Sequence, residues 1–238
     1  MTDYTKLNTA TAQTAVDYDA GLRAFMLKVY NYMTMALVMS GAIAYFAGTS
    51  VEFQNTIMAN HALVYIIMFA PLVLVFIFSM RLQSMSLQAT QALYWVFSAV
   101  MGLSLWFVFA IYTRESIVET FFITAATFGG MSLFGYTTKR DLTGMGHFMI
   151  MGLWGIIIAS IINIFMHNSM ASLLISVLGV VIFTGLTAYD TQKLKQYYYM
   201  GGSDATASGK LAISGALNLY LDFLNLFLML LRLMGNRR

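Results

Sequence analysis

The chain has 238 residues, of which 59% are hydrophobic and only 10% charged, with a formal net charge of +3. Soluble domains carry about 25% charged residues, so a soluble globular protein is excluded, and no stretch leaves room for a sizeable soluble domain. The absence of cysteine rules out disulfides and thiolate metal sites, and the small, dispersed charge argues against a nucleic-acid partner. What remains is an all-α integral membrane protein whose first partner is the lipid bilayer.

Residues 1–21 are polar, with Asp3, Lys6, Asp17 and Asp19. They lack the basic start, apolar middle and small-residue cleavage site of a signal peptide. A disordered cytoplasmic tail is expected there, followed by one transmembrane domain over residues 22–238. Seven apolar stretches follow, at Leu27–Ala47, Ala62–Met80, Gln91–Tyr112, Val118–Tyr136, Met145–Phe165, Leu173–Lys193 and Lys210–Arg232. Each is close to the ~20 residues that cross the hydrocarbon, so a seven-helix bundle is expected, six spans plus a re-entrant segment being the competitor. Pro71, the only proline, is expected to bend the second span. The pairs Gly41/Ala44, Gly129/Gly130 and Gly152/Gly155 are expected at close helix contacts. His61, His147 and His167 lie near span ends without ligand spacing, and Glu119 reads as a cap on the fourth span.

Lysine and arginine placement gives the orientation. Counting alternate sides, one face receives Lys6, Arg23, Lys28, Arg81, Lys139, Arg140, Lys193, Lys195 and Lys210, and the other Arg114, Arg232, Arg237 and Arg238. That bias puts the amino terminus in the cytoplasm and, after seven spans, the carboxyl terminus outside.

Two acids break the apolar pattern, Asp190 in the sixth span and Asp222 in the seventh. A carboxylate at that depth costs about 2.5–3.5 kcal/mol on insertion scales and by default marks a functional site. The chain reverses in the Gly- and Ser-rich run Gly201–Gly209, and the two acids are symmetric about Thr206. An antiparallel pair of helices should hold them level, sharing a proton and titrating as a coupled pair. Ser214, Gly215, Asn218, Asp222 and Asn225 fall on one helical face, and Thr187 extends the pattern to the sixth span. Such a stripe is expected to turn away from lipid, which makes the last helix the central one and describes a polar seam inside an apolar bundle. Arg81 ends the second span on the side of the loop joining the acids. It is either a boundary arginine reaching for the interface or a cation reaching inward to them.

The segments TTKRDLTGMGHFMIMGLWGIIIASIINIF, VIFTGLTAYDTQKLK and GALNLYLDFLNLFLMLLRLMGNRR resemble the transmembrane Bax inhibitor motif family, most closely its bacterial branch. The resemblance implies a seven-helix bundle with the last helix central, in a bacterial inner membrane, acting as a pH-sensitive calcium leak. It also implies that Asp190 and Asp222 form the pH sensor, with Arg81 in FSMRLQ as a latch on them. Calcium is then the transported ion, passing the Asp190 and Asp222 oxygens, which suit a hard cation, and no cofactor is implied.

Two other classes compete. An intramembrane aspartyl protease also holds two aspartates on adjacent helices, and Tyr189–Asp190 imitates its first motif. Its second motif needs a flexible Gly-x-Gly-Asp where this chain has Leu219–Tyr220–Leu221–Asp222, and Pro71 is the only proline available for the third. A non-enzymatic protein is therefore expected. The other competitor is a non-conducting regulator that binds a membrane-protein partner such as a protease.

Overall fold

The computed structural model describes residues 2–200 and 205–237, and for residues 2–19 and 205 the backbone alone. The described residues form α1 (Thr2–Thr49), α2 (Val51–Met58), α3 (His61–Arg81), α4 (Leu87–Ser104), α5 (Trp106–Ile111), α6 (Arg114–Thr137), α7 (Thr143–Met166), α8 (Ser169–Met200) and α9 (Ala205–Met234). Seven stretches are long and apolar enough to cross a bilayer: Ala20–Thr49 of α1, α3, α4 with α5, α6, α7, α8, and Thr206–Met234 of α9. The protein is an all-α, seven-span integral membrane protein.

Side-chain caps mark several helix starts. Ser50, Ser86 and Thr113 accept from the backbone N–H three residues on, and Asn168 caps α8 through Met170 and Ala171. Between α7 and α8 the chain turns at His167, whose φ of 50° is left-handed. One expectation changes. The polar stretch expected as a disordered tail has a helical backbone from Thr2 onward, continuous with the first span. Pro71 lies inside α3, which runs from His61 to Arg81. The reversal expected between the sixth and seventh spans falls on residues 201–204, outside the described residues.

The last helix is the centre of the bundle. In its most apolar window 61% of α9 is buried, against 11% for α3 and 6% for α7. Four helices surround it, as two pairs: α6 with α8 on one flank and α1 with α4 on the other. α7 packs outside α8, and α3 packs on α4 and α2 without approaching α8 or α9. Among the described residues the backbones of α1 and α6, and of α4 and α8, do not approach one another, so two seams run along α9, the first bridged by side chains at Tyr30 and Ser132.

Glycine placement explains how the pairs close, but the glycines responsible are not the expected ones. A Cβ at Gly135 of α6 would lie 2.9 Å from the Ala188 Cα of α8, and one at Gly102 would lie 2.8 Å from the Ser40 Cα of α1. Backbones this close tolerate no side chain. At Gly41, Gly129, Gly130 and Gly155 a Cβ would meet nothing within 4 Å. Of the expected glycines only Gly152 abuts another helix, at Ile182.

Candidate functional site

Helix α9 runs antiparallel to α8, and its register is set by small-into-large contacts. Gly215 sits against Leu194 nearer the face where α8 ends, and Gly179 against Met229 nearer the opposite face. Between these two contacts the same register brings Asp190 opposite Asp222, with their carboxyl groups in hydrogen-bonding reach of each other. Asp222 is only 6% exposed, and its Oδ2 has no hydrogen-bond partner among the described residues. Asp190 is half-buried, and the charge of Lys193, three residues on, acts on it. The Lys193 ammonium lies 5.5 Å from the Tyr189 ring centroid and 5.6 Å from that of Tyr197.

The acids look onto the α4–α8 seam. Thr191, about 100° around the helix from Asp190, bonds Ser132 of α6 at 2.9 Å, so Asp190 lies toward the other side of α8. Along α9 the less buried residues Leu211, Ser214, Asn218, Leu221 and Asn225 follow helical spacing and form its least covered side. Of the stripe expected to turn inward, Gly215 and Asp222 are buried, whereas Ser214, Asn218 and Asn225 lie on the strip that the neighbours leave partly open. Asn218, a turn from Asp222 toward the start of α9, is exposed. Beyond Asp222 in the other direction, Leu224, Leu226, Phe227 and Leu231 are buried and apolar. Polar residues of the strip thus lie on both sides of Asp222, Asn218 toward one face and Asn225 toward the other, while the rest of α9 beyond the acids is packed with apolar side chains.

The remaining predicted residues are placed as follows. Thr187 is buried and donates to the Phe183 carbonyl at 2.7 Å, and Asn225 donates to the Leu221 carbonyl at 2.9 Å. Both satisfy their polar groups along their own helix. Arg81 is exposed at the end of α3, and among the described residues no ion pair joins it to Asp190 or Asp222. Glu119 and the three histidines are also exposed. No cluster of three or more acidic or histidine ligands that could hold a metal is present among the described residues.

Sequence reasoning overlooked Gln192, a buried side chain that ties down the α6–α7 loop. Its amide donates to the Arg140 carbonyl at 2.8 Å, and its oxygen accepts from the Leu142 N–H at 2.8 Å. It also overlooked a hydroxyl chain in which Tyr30 of α1 bonds Ser132 at 2.6 Å and Ser132 bonds Thr191. The four-residue spacing of Ser116, Thr120, Thr124 and Ser132, all buried on α6, was a legible signal for that face.

Residues 22–238 match the family model described as "Inhibitor of apoptosis-promoting Bax1". The chain belongs to this family. It is 49% identical to a protein of Rickettsia prowazekii over the whole of both chains. It is 43% identical to the inner membrane protein YbhL of Escherichia coli, covering 92% of this chain and 94% of the relative. A membrane protein of Streptococcus pyogenes is 34% identical over 91% of this chain and 94% of its own length. None of these three carries an enzymatic name.

Proposed function

We propose that this Bax inhibitor family protein is a passive, pH-sensitive cation leak, with calcium as its permeant ion and Asp190 and Asp222 as the gate. The observation that carries the reading is the facing pair of acids on α8 and α9, beside the partly open polar strip of α9. With a proton between them the two carboxyls carry about one negative charge. Loss of that proton leaves two carboxylates facing each other, which a cation would stabilise. Protons and a hard divalent cation then compete for the same oxygens. Two carboxylates are far fewer than the 6–8 oxygens a resident Ca²⁺ takes, which suits a stopping point in transit, where binding must stay weak enough to release.

For permeation the Leu224–Leu231 stretch of α9 has to part, since it seals the far side of the acids. For Arg81 to act as a latch, α3 has to swing from its place on α4 onto the open strip of α9. We place the amino-terminal face in the cytoplasm and the carboxyl terminus outside. That face carries Arg23, Lys28, Arg81, Lys139, Arg140, Lys193, Lys195 and Lys210, against Arg114, Arg232 and Arg237 on the other. Kinship with a relative named as an inner membrane protein supports a bacterial inner membrane. A protease reading fares worse, because Asp222 lies in the unbroken interior of α9 rather than on a flexible glycine segment.

Calcium flux into liposomes containing the pure protein, followed across pH, tests the proposal. Wild type should pass the ion in a pH-dependent way, and Asp190→Asn or Asp222→Asn should flatten that dependence. Unaltered flux in both variants removes the acids from the gate. A pure protein that passes no cation returns the chain to the non-conducting regulators.

A further inference from the structure

The second seam along α9, between α1 and α6, differs in character from the one the acids face. Toward the amino-terminal face it holds a cavity of about 510 Å³, walled by Met26, Leu27, Met33, Phe128 and Leu133, with Arg23 at its rim. Leu27, Gly129 and Leu133 are all exposed, so the cavity opens sideways, at a level where bilayer surrounds the spans. Two of its hydroxyls, Tyr30 and Ser132, bond each other across the seam. What faces an occupant is a largely apolar wall with Tyr136 in it, and one guanidinium that no carboxylate among the described residues pairs.

Three features identify that occupant. Arg23 lies four residues before the apolar stretch that begins at Leu27, at the end of the span where a basic side chain reaches for lipid headgroups. Lys195 stands beside the same mouth, its ammonium 2.9 Å from the Tyr136 carbonyl and 5.5 Å from the ring of Tyr136, a lining residue. From Arg23 to Met33 the helix rises about 15 Å, half of a hydrocarbon core about 30 Å thick and so the depth of one leaflet. Gly129 lines the cavity although no neighbouring helix requires a glycine there, since a Cβ would meet nothing within 4 Å. The room it leaves belongs to the groove.

We propose that the α1–α6 groove binds one anionic phospholipid from the adjoining leaflet, an acyl chain against Met26, Met33 and Phe128 and the phosphate on Arg23 with Lys195 beside it. The site is independent of any conductance at the acid pair.

The experiment uses the full chain in phosphatidylcholine nanodiscs containing phosphatidylglycerol with a photoactivatable acyl chain, the labelled peptides then being mapped. Labelling should concentrate on residues 26–33 and 128–136, several-fold above the exposed lipid-facing side of α3, and excess unlabelled phosphatidylglycerol should suppress it. Gly129→Leu should remove most of it. Gly130→Leu, whose Cβ is equally unobstructed but which does not line the cavity, should leave it intact. Arg23→Gln should abolish the preference for phosphatidylglycerol over a phosphatidylcholine probe with the same chain. Equal, non-saturable labelling of the groove and α3, or Gly129→Leu labelling at the wild-type level, means an annular film only and overturns the proposal.

Discussion

Gly135 of α6 lies directly against the backbone of Ala188 in α8, two residues before Asp190, and this contact sets the α6–α8 crossing. A methyl at position 135 has only backbone to push against, so the helices must separate. Gly135→Ala should therefore cost about 1–3 kcal/mol by overpacking. Gly129→Ala, six residues away on the same helix with open space at its Cβ, should be neutral or gain about 0.5–1 kcal/mol from helix propensity. Thermal unfolding of the two variants in one detergent checks the contrast.

Gln192 holds the α6–α7 loop from inside α8. Gln192→Ala removes a partner from the Arg140 carbonyl and from the buried Leu142 N–H, with a cost of about 1–3 kcal/mol for each group left unpaired and shielded from water. Hydrogen exchange at Leu142 should accelerate by at least an order of magnitude, while exchange at the centre of α9 should be unchanged.

The two acids should behave as one unit in stability as well as in flux. Asp190→Asn and Asp222→Asn each leave a carboxyl facing an amide, which can donate to it, so either variant alone should fold. The double variant removes both carboxyls. Its effect should differ from the sum of the singles by about 0.5–3 kcal/mol, as expected for residues in one hydrogen-bond network. Additivity within error in unfolding measurements would argue that the carboxyls do not interact.

Tyr220 and Ser40 make an asymmetric pair at the buried contact of α9 with α1. The Tyr220 hydroxyl donates to Ser40 Oγ at 2.9 Å, while Ser40 donates to its own Ala36 carbonyl at 2.5 Å. Tyr220→Phe leaves Ser40 satisfied and should cost about 0.5–1.5 kcal/mol; Ser40→Ala strands a buried phenol and should cost about 1–3 kcal/mol. The same order in chemical or thermal unfolding is the expected outcome.

Outside the spans, Asp141 accepts from the Thr143 hydroxyl at 2.6 Å and the Thr143 N–H at 2.9 Å, and these bonds hold its carboxyl below the ordinary 3.8. A carboxylate depressed in the folded state contributes stability that is present above its unfolded value and lost as pH falls below it. Asp141→Asn should thus lower stability above about pH 4, and the difference from wild type should shrink as pH falls below that. It should leave any flux transition at higher pH where it is in wild type.

The sequence by itself determined the class, the seven crossings, the central place of the last helix and the pairing of Asp190 with Asp222. The crossings and the pairing follow from linear rules: hydrocarbon thickness sets span length, and a reversal puts residues symmetric about it at one height. The glycine contacts were not legible, because Gly129 and Gly135 have the same chemistry and only the helix crossing separates an open face from a closed one. Nor was the split of the ring around α9 into two pairs, which leaves one seam lined with acids and amides and the other with methionine and phenylalanine. The polar strip of α9 was visible from its periodicity, but its exposure was decided by α3 packing on α4 alone. Periodicity records which residues share a face of one helix; which neighbour covers that face depends on how all the helices pack at once.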